Sequence, residues 1–370
     1  MRPAFATTKQ AAAFALLLLL VLLSPALAGK KFLPPREQAY AAQGWGNGPY
    51  PYIQQQIFHE KGDIDIVFIG SSHILHCLDA RLLQKALSQK LGRPATIRVL
   101  GWGGAGYGAL YFVTRDLLEH RHVRMLVFYD DHNVDFRHLK SHVWFRFADD
   151  YSLLAGLPLT EKAYYYFSSL VEMPHNLLCL FRPSLQADLD ATNYWEMHYR
   201  STNLAANLGS TTSELGFDAR PKADADSSVP FVPYSPTNGV GPAAACIYSA
   251  MTETNFAFAS NPLPIWEIRF MHLFADLAAT NGCQLVLLHI PVLGEVRSPR
   301  IEERSFWPEI FGTNLVMLGI PPARMFAGLS DANIRELYFN PTHLNKNGQA
   351  YYTSLILPDL LNIYETSSGH

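Results

Sequence analysis

The sequence predicts an α/β fold: a three-layer, doubly wound parallel sheet, flavodoxin-like, with strand order 2-1-3-4-5. The run from Ile64 to Ile69 is short, rich in β-branched residues and nearly free of charge, which is typical of a strand buried on both faces. Gly70 ends this run, and strand-like and helix-like segments then alternate. The alternation pauses in a long middle region and returns before the end of the chain, without internal repeats.

The elements of the first half follow the buried strand directly. We expect, in order, a helix over 78–91, a strand over 95–100, a helix over 108–120 and a strand over 123–129. The run Gly101-Trp102-Gly103-Gly104-Ala105-Gly106 separates the second strand from its helix. It lacks the full G-x-G-x-x-G spacing, so it is a weak nucleotide-binding signal and a better tight turn.

The second half begins with a helix over 265–280, which Asn281-Gly282 terminates. We then expect a strand over 284–290, a weak helix over 299–318, a short extended piece over 324–326 and a final helix over 349–361. Asn345 is placed to cap that final helix.

The first 28 residues predict an exported protein. Arg2 and Lys9 flank the start of an apolar run over 11–23, and Ala26-Leu27-Ala28 has the small residues of a cleavage site. A secretory signal peptide cut after Ala28 indicates a periplasmic or extracellular location. The alternative is an uncleaved N-terminal membrane anchor facing the periplasm, although the apolar run is short for a full span.

Composition excludes several classes of function. The chain has 370 residues, 49% of them apolar, which suffices for one large domain. The net charge is −3 and the basic residues are scattered, so the sequence predicts no nucleic-acid partner. Cys77, Cys179, Cys246 and Cys283 show no metal-binding spacing. Disulfides are possible in an exported protein, but Cys77 and Cys283 lie in core-like segments and are also compatible with buried thiols.

The predicted organisation is a signal peptide (1–28), an N-terminal extension (29–61), an α/β domain (62–361) with an insertion at about 140–264, and a tail (362–370). The extension is rich in Pro and Gly, and we expect it to wrap the surface or act as a spacer. The insertion holds aromatic clusters around 144–147 and 164–167, either core or a sugar-binding surface, a helix over 161–180, and a polar loop over 210–237.

Two motifs at opposite ends of the α/β domain carry candidate chemistry. Gly70-Ser71-Ser72 follows the buried strand, and Asn340-Pro341-Thr342-His343-Leu344-Asn345 precedes the last helix. A serine on a turn between a strand and a helix is well placed for nucleophilic attack, and a histidine supplies the base that it needs. Together the motifs resemble the SGNH/GDSL hydrolase superfamily over roughly 62–139 and 284–361.

The resemblance implies the roles of individual residues. Ser72 aligns with the nucleophile and His343 with the base. Backbone N–H groups of Ser72 and Gly104, with Gly103 as the alternative glycine, and the side-chain amide of Asn133 would form the oxyanion hole. Asp131 is the alternative to Asn133, because the spacing after the third strand is longer than usual.

The chain departs from the superfamily at Asn340, which stands where the superfamily has aspartate. An amide oxygen can orient His343 but cannot stabilise the imidazolium by charge, and in a serine hydrolase this change costs about 10⁴ in turnover. A slow enzyme, a substitute carboxylate from Asp331 or Glu336, and a loss of activity all remain open. We expect His73 and His76 to face away from the site, as pocket wall at best.

Three functions of different classes follow. The first is an exported serine esterase or O-acyltransferase acting on an acylated carbohydrate, such as an envelope or extracellular polysaccharide, without a cofactor. Some exported relatives in this superfamily work beside membrane-bound O-acyltransferases, so such a partner is possible. The second is a weakened or inactive glycan-binding or envelope scaffold protein. The third is a metal-dependent phosphoesterase, for which Asp130, Asp131, His132 and His138 are the candidate ligands, although such residues are more often a polar rim.

Overall fold

A computed structural model provides the structure, which describes residues 6–28, 35–43, 49–103, 106–129, 144–145, 150–182, 246–248, 256–259, 263–304, 306–311 and 315–367. The strands are β1 (Ile64–Gly70), β2 (Ile97–Gly101), β3 (Val123–Phe128), β4 (Cys246–Tyr248), β5 (Phe256–Ala259), β6 (Gln284–Leu288), β7 (Ile301–Arg304), β8 (Leu315–Gly319), β9 (Tyr338–Asn340) and β10 (His343–Leu344). The helices are α1 (Thr8–Ala28), α2 (Arg36–Gln43), α3 (Tyr50–Gln54), α4 (Ser72–Leu75), α5 (Ala80–Leu91), α6 (Tyr107–His120), α7 (Leu159–Phe181), α8 (Ile265–Thr280), α9 (Phe306–Phe311), α10 (Pro322–Met325), α11 (Asp331–Arg335) and α12 (Lys346–Thr366). Single turns of π- or 3₁₀-helix lie at Gln55–His59, Tyr151–Leu154 and Leu293–Glu295.

The main sheet has the order β2-β1-β3-β6-β8-β4. Its first five strands are parallel to their neighbours, and β4 pairs antiparallel with β8 at the edge. Numbered along the chain, the five parallel strands have the order 2-1-3-4-5. This is the predicted order, but its fifth strand is β8 and not the extended piece expected over 324–326. The α/β character of the fold is confirmed, and the strand order reverses at β1, between β2 and β3.

β1 is the central strand, and all seven of its residues are buried. A parallel strand covered by helices has no solvent-facing side, so apolar side chains occupy both faces. The one charged residue, Asp65, forms an ion pair with Arg93. Gly70 ends the strand with a φ of +151°, a backbone conformation that residues with a side chain rarely adopt. The glycine therefore lets the chain turn sharply from β1 into α4, which begins at Ser72.

Helices cover the sheet in two packed pairs. α6 packs against α8, and α5 packs against α12. Right-handed crossovers place α5 and α6 on opposite faces, because the chain moves in opposite directions from β1 to β2 and from β2 to β3. The carboxyl ends of the parallel strands consequently meet at one edge of the sheet, where α4 begins.

The prediction for 299–326 is wrong in two places. Within the expected helix over 299–318, the structure has β7, the short α9 and the buried strand β8. The extended piece expected at 324–326 overlaps α10 instead. Leu315–Gly319 is a short apolar run without usable periodicity, and its pairing with β6 decides its conformation.

The predicted N-terminal extension is more regular than expected. Its described parts contain α2 and α3, and the side chains of Tyr40, Tyr50 and Ile53 are buried in the core. Tyr40 Oη donates to Asp116 Oδ2 at 2.8 Å, and Arg36 Nε lies 3.0 Å from Asp116 Oδ1. Burial raises the pKa of Asp116 to about 7, against the opposing effects of Arg36 and Tyr40. These parts therefore belong to the domain and are not a spacer.

Much of the predicted insertion, including the loop over 210–237, lies outside the described residues. Trp144, Phe145 and Tyr165 are buried core residues, whereas Tyr164 and Phe167 of the same aromatic clusters are exposed. Cys77 and Cys283 are free thiols. In the part of the chain that the structure covers, no helix is long and apolar enough to cross a membrane.

Candidate functional site

The site begins where β1 turns into α4. Ser71 is the residue that caps this helix, because its Oγ accepts the backbone N–H of His73. Ser72 is the first helical residue and is 9% exposed. It follows Gly70, the last residue of β1, which places it at the carboxyl edge of the sheet. The two adjacent serines therefore differ in role: Ser71 caps the helix, and Ser72 is the predicted nucleophile.

The second part of the site is the histidine hairpin, residues 338–344, formed by β9 and β10. The two strands are antiparallel, and His343 pairs directly with Asn340. Pro341 follows Asn340, and Asn at the first position with Pro at the second is a favoured sequence for a tight turn. The turn brings the side chains of Asn340 and His343 together.

Asn340 Oδ1 is the acceptor around which the hairpin turn is built. The backbone N–H groups of Thr342 and His343 both donate to it at 2.9 Å. Because these donors require an acceptor, they fix the orientation of the Asn340 amide, with oxygen and not nitrogen facing His343. His343 Nδ1 lies 3.0 Å from the same oxygen.

This arrangement determines the tautomer of neutral His343. Nδ1 faces the oxygen of Asn340 and must carry the proton, with Thr342 Oγ1 also 3.0 Å away. Nε2 is then an acceptor, and it lies 2.8 Å from Ser72 Oγ. The chain of contacts Ser72–His343–Asn340 has the geometry of a serine, a base and its orienting group. Both ring nitrogens of His343 are thus placed for transfer of the serine proton to Nε2.

Two hydrogen bonds join the histidine hairpin to the segment that follows β6. Leu293 N donates to Pro341 O at 2.9 Å, and Tyr338 Oη donates to Pro291 O at 2.9 Å. Asn345, the residue after the hairpin, caps α12 as predicted. Its Oδ1 accepts hydrogen bonds from the backbone N–H groups of Asn347 and Gly348. These bonds fix the position of His343 relative to the sheet.

His289, Glu295 and Glu303 form a charged cluster next to that supporting segment, in which His289 and Glu303 are buried and Glu295 is half-buried. His289 follows β6 and is 1% exposed; its Nδ1 lies 3.2 Å from Glu303 Oε1 and its Nε2 lies 3.1 Å from Glu295 Oε2. Burial disfavours the imidazolium, but the two carboxylates outweigh this and raise the pKa of His289 to about 9. His289 is therefore an imidazolium inside the protein at neutral pH, and it lies between two carboxylates.

We expect the cluster to make the free energy of unfolding decrease as the pH rises above neutral. A folded-state pKa of about 9, against the ordinary 6.5, gives stability that is complete below pH 6.5 and lost as the pH rises through 9. The full effect is about 3 kcal/mol. The urea midpoint should fall between pH 6.5 and 9.5, and His289→Gln should be less stable but should lose most of this dependence. An equal slope in the variant would contradict the assignment.

The remaining predicted site residues have different outcomes. Gly104 and Asn133 lie outside the described residues, as do Asp130, Asp131, His132 and His138. Gly103, the alternative to Gly104, is described and buried. Among the residues that the structure describes, no cluster of His, Cys, Asp or Glu could hold a metal ion.

The two substitute carboxylates do not take the place of Asn340 beside His343 Nδ1. Asp331 is exposed and forms an ion pair with Arg297, and Glu336 is exposed on the turn after α11. The oxygen 3.0 Å from His343 Nδ1 is that of Asn340.

The prediction that His73 and His76 face away from the site is wrong. The His73 ring is stacked on the His343 ring, with centroids 4.6 Å apart and planes at 15°. The His76 ring meets His343 edge-on at 5.3 Å. A residue next to the nucleophile on a helix normally points elsewhere, but here His343 lies over the first turn of α4 and meets both rings. The sequence signal for these contacts is the presence of two histidine residues, His73 and His76, within the four residues that follow Ser72.

Comparison with known proteins adds no further evidence: no family model matches the chain, and no curated protein is significantly similar to it.

Proposed function

We propose that the chain is an exported serine esterase or O-acyltransferase of the SGNH/GDSL type, acting on acyl esters, in particular those of an envelope or extracellular polysaccharide. The observation that carries the proposal is the 2.8 Å contact between Ser72 Oγ and His343 Nε2 at the carboxyl edge of a parallel sheet. The order of the parallel strands and the early-serine, late-histidine order of the motifs support the assignment to this type.

In the proposed reaction His343 takes the proton of Ser72 as the hydroxyl attacks the acyl carbonyl carbon. The resulting imidazolium then returns the proton to the leaving alcohol, and an acyl-serine forms. Attack by water completes hydrolysis, whereas attack by a sugar hydroxyl completes transfer. His343 acts as the base in either second step, so the two activities share one site.

The proposed oxyanion hole contains the backbone N–H of Ser72, that of Gly104 and the amide of Asn133. Ser72 N–H lies at the start of α4, next to the attacking oxygen. Such donors stabilise the negative charge that develops on the carbonyl oxygen, and losing one of them costs about 10²–10³ in rate.

The proposed location is periplasmic or extracellular, from the charged, apolar and small-residue pattern of the first 28 residues. An uncleaved anchor is the alternative, and a membrane-bound O-acyltransferase is a candidate partner. In that arrangement the partner would supply the acyl group and Ser72 would carry it to the polysaccharide.

Asn340 supports a second candidate function, a glycan-binding or scaffold protein of the same fold. The side chain orients His343 as an aspartate would, but it provides no negative charge to balance an imidazolium. A site that has lost activity could keep this geometry, because the same oxygen also holds the hairpin turn.

A fluorophosphonate probe separates the two candidates, because it reacts only with an activated serine. We expect covalent labelling that peptide mass spectrometry assigns to Ser72 and that Ser72→Ala abolishes. Ser71→Ala is the matched control: it alters the neighbouring hydroxyl, and Ser72 should still be labelled. An unlabelled wild-type protein would favour the scaffold, and hydrolysis of phosphate esters that a chelator inhibits would favour the metal-dependent phosphoesterase.

A further inference from the structure

His73 is the next residue after Ser72 and belongs to the same short helix. Its ring lies nearly parallel to that of His343, with centroids 4.6 Å apart, and also contacts Tyr129, whose ring centroid is 4.9 Å away. Ser71 Oγ lies 3.4 Å from His73 Nδ1 and accepts the His73 backbone N–H. The His73 ring is therefore held at its edge while its face is presented to His343.

The two contacts on Nδ1 do not by themselves fix the plane of the His343 ring. Asn340 Oδ1 and Thr342 Oγ1 both contact Nδ1, which fixes where that nitrogen lies. The torsion that sets the plane of an imidazole ring is broad, since it joins a tetrahedral and a planar carbon. Tilting the plane about Nδ1 would move Nε2 away from Ser72 Oγ even with the Asn340 contact intact.

We propose that His73 is a positioning residue, which fixes the plane of the His343 ring by stacking and so keeps Nε2 on Ser72. The inference rests on the proposed function for its effect on rate. A flat aromatic neighbour resists tilting of the ring, and offset stacking with centroids at this distance is favourable.

The role requires a planar ring and not merely a side chain that fills space. His73→Phe keeps the ring and removes the nitrogens, whereas His73→Leu fills similar volume without a plane. If His73 only packs, the two variants should behave alike. If it sets the plane of His343, the phenylalanine variant should keep the function and the leucine variant should lose it.

The experiment measures the rate of fluorophosphonate labelling of Ser72 in the full chain, with thermal melting as the check on folding. We expect His73→Leu to label about 10²-fold more slowly, the cost of a displacement of roughly 1 Å in a reacting group. His73→Phe should label near the wild-type rate. Equal rates in wild type and His73→Leu, or an equal loss in both variants, would overturn the proposal.

A second measurement does not depend on activity. Stacking shifts the Hε1 proton of His343 upfield in an NMR spectrum, so wild type and His73→Phe should show the shift and His73→Leu should not. If wild type is unlabelled, the proposed function fails while this measurement still decides the role of His73. The absence of any difference between the three spectra would overturn the stacking role by itself.

Discussion

Asn340→Asp is expected to raise the rate of hydrolysis of p-nitrophenyl acetate by up to about 10⁴. The oxygen that receives the N–H groups of Thr342 and His343 is already in place at 2.9 Å from each, so an aspartate fits the same turn without rearrangement. The new charge faces His343 Nδ1 and stabilises the imidazolium that forms as Ser72 attacks. The rate of release of p-nitrophenol, at saturating ester, is the measurement.

The matched control is Asn362→Asp, the same chemical change at an exposed position on α12. It should leave the rate unchanged, which excludes an effect of net charge. Ser72→Ala in the Asn340→Asp background should remove the gain. If Asn340→Asp has no effect although the protein remains folded, the oxyanion donors are misplaced or the pocket is closed, and the scaffold function is the better one.

His343→Ala is expected to cost far more in the Asn340→Asp background than in the native chain. Triad residues act as a unit: in a serine protease, loss of the histidine costs about 2 × 10⁶ in turnover, and loss of the acid about 3 × 10⁴. A native chain that already lacks the acid should therefore lose only about 10² more with His343→Ala, whereas the Asn340→Asp variant should lose about 10⁶. Turnover of the same ester in the four proteins is the measurement.

His122→Ala, at an exposed histidine outside the site, is the control for this cycle and should change no rate. The coupling between positions 340 and 343 is the quantity that matters. Losses of equal size in the two backgrounds would mean that the effect of His343 does not depend on the residue at 340. The proposed roles of His343 as base and of position 340 as its orienting group would then be wrong.

The fold could be predicted as far as local patterns determine it. The run Ile64–Gly70 is rich in β-branched residues, and this composition alone predicts a central strand. The structure buries all seven of its residues. Leu315–Gly319 is equally apolar but was placed in a helix, because a run of five residues has no readable period and only its pairing with β6 makes it a strand. Long-range pairing is the information that a local pattern lacks.

The candidate site shows the same division. Ser72 and His343 could be paired from their motifs, because the carboxyl ends of parallel strands share an edge. The stacking of His73 on His343 could not be predicted, since it depends on where the histidine hairpin docks relative to α4. Nor does the sequence disclose that the Asn340 oxygen both shapes the turn and faces the ring.

The separation of Ser72 from His343 by 271 residues has a consequence for how the protein matures. All five parallel strands are complete at Gly319, whereas the histidine hairpin and α12 follow it in the chain. Closing a contact of such long range is slow and comes late in folding. The segments of the parallel sheet, and Ser72 with them, therefore precede in the chain the segment that supplies the base. The appearance of fluorophosphonate reactivity during refolding would thus report when the histidine hairpin and α12 dock, and not when the sheet forms.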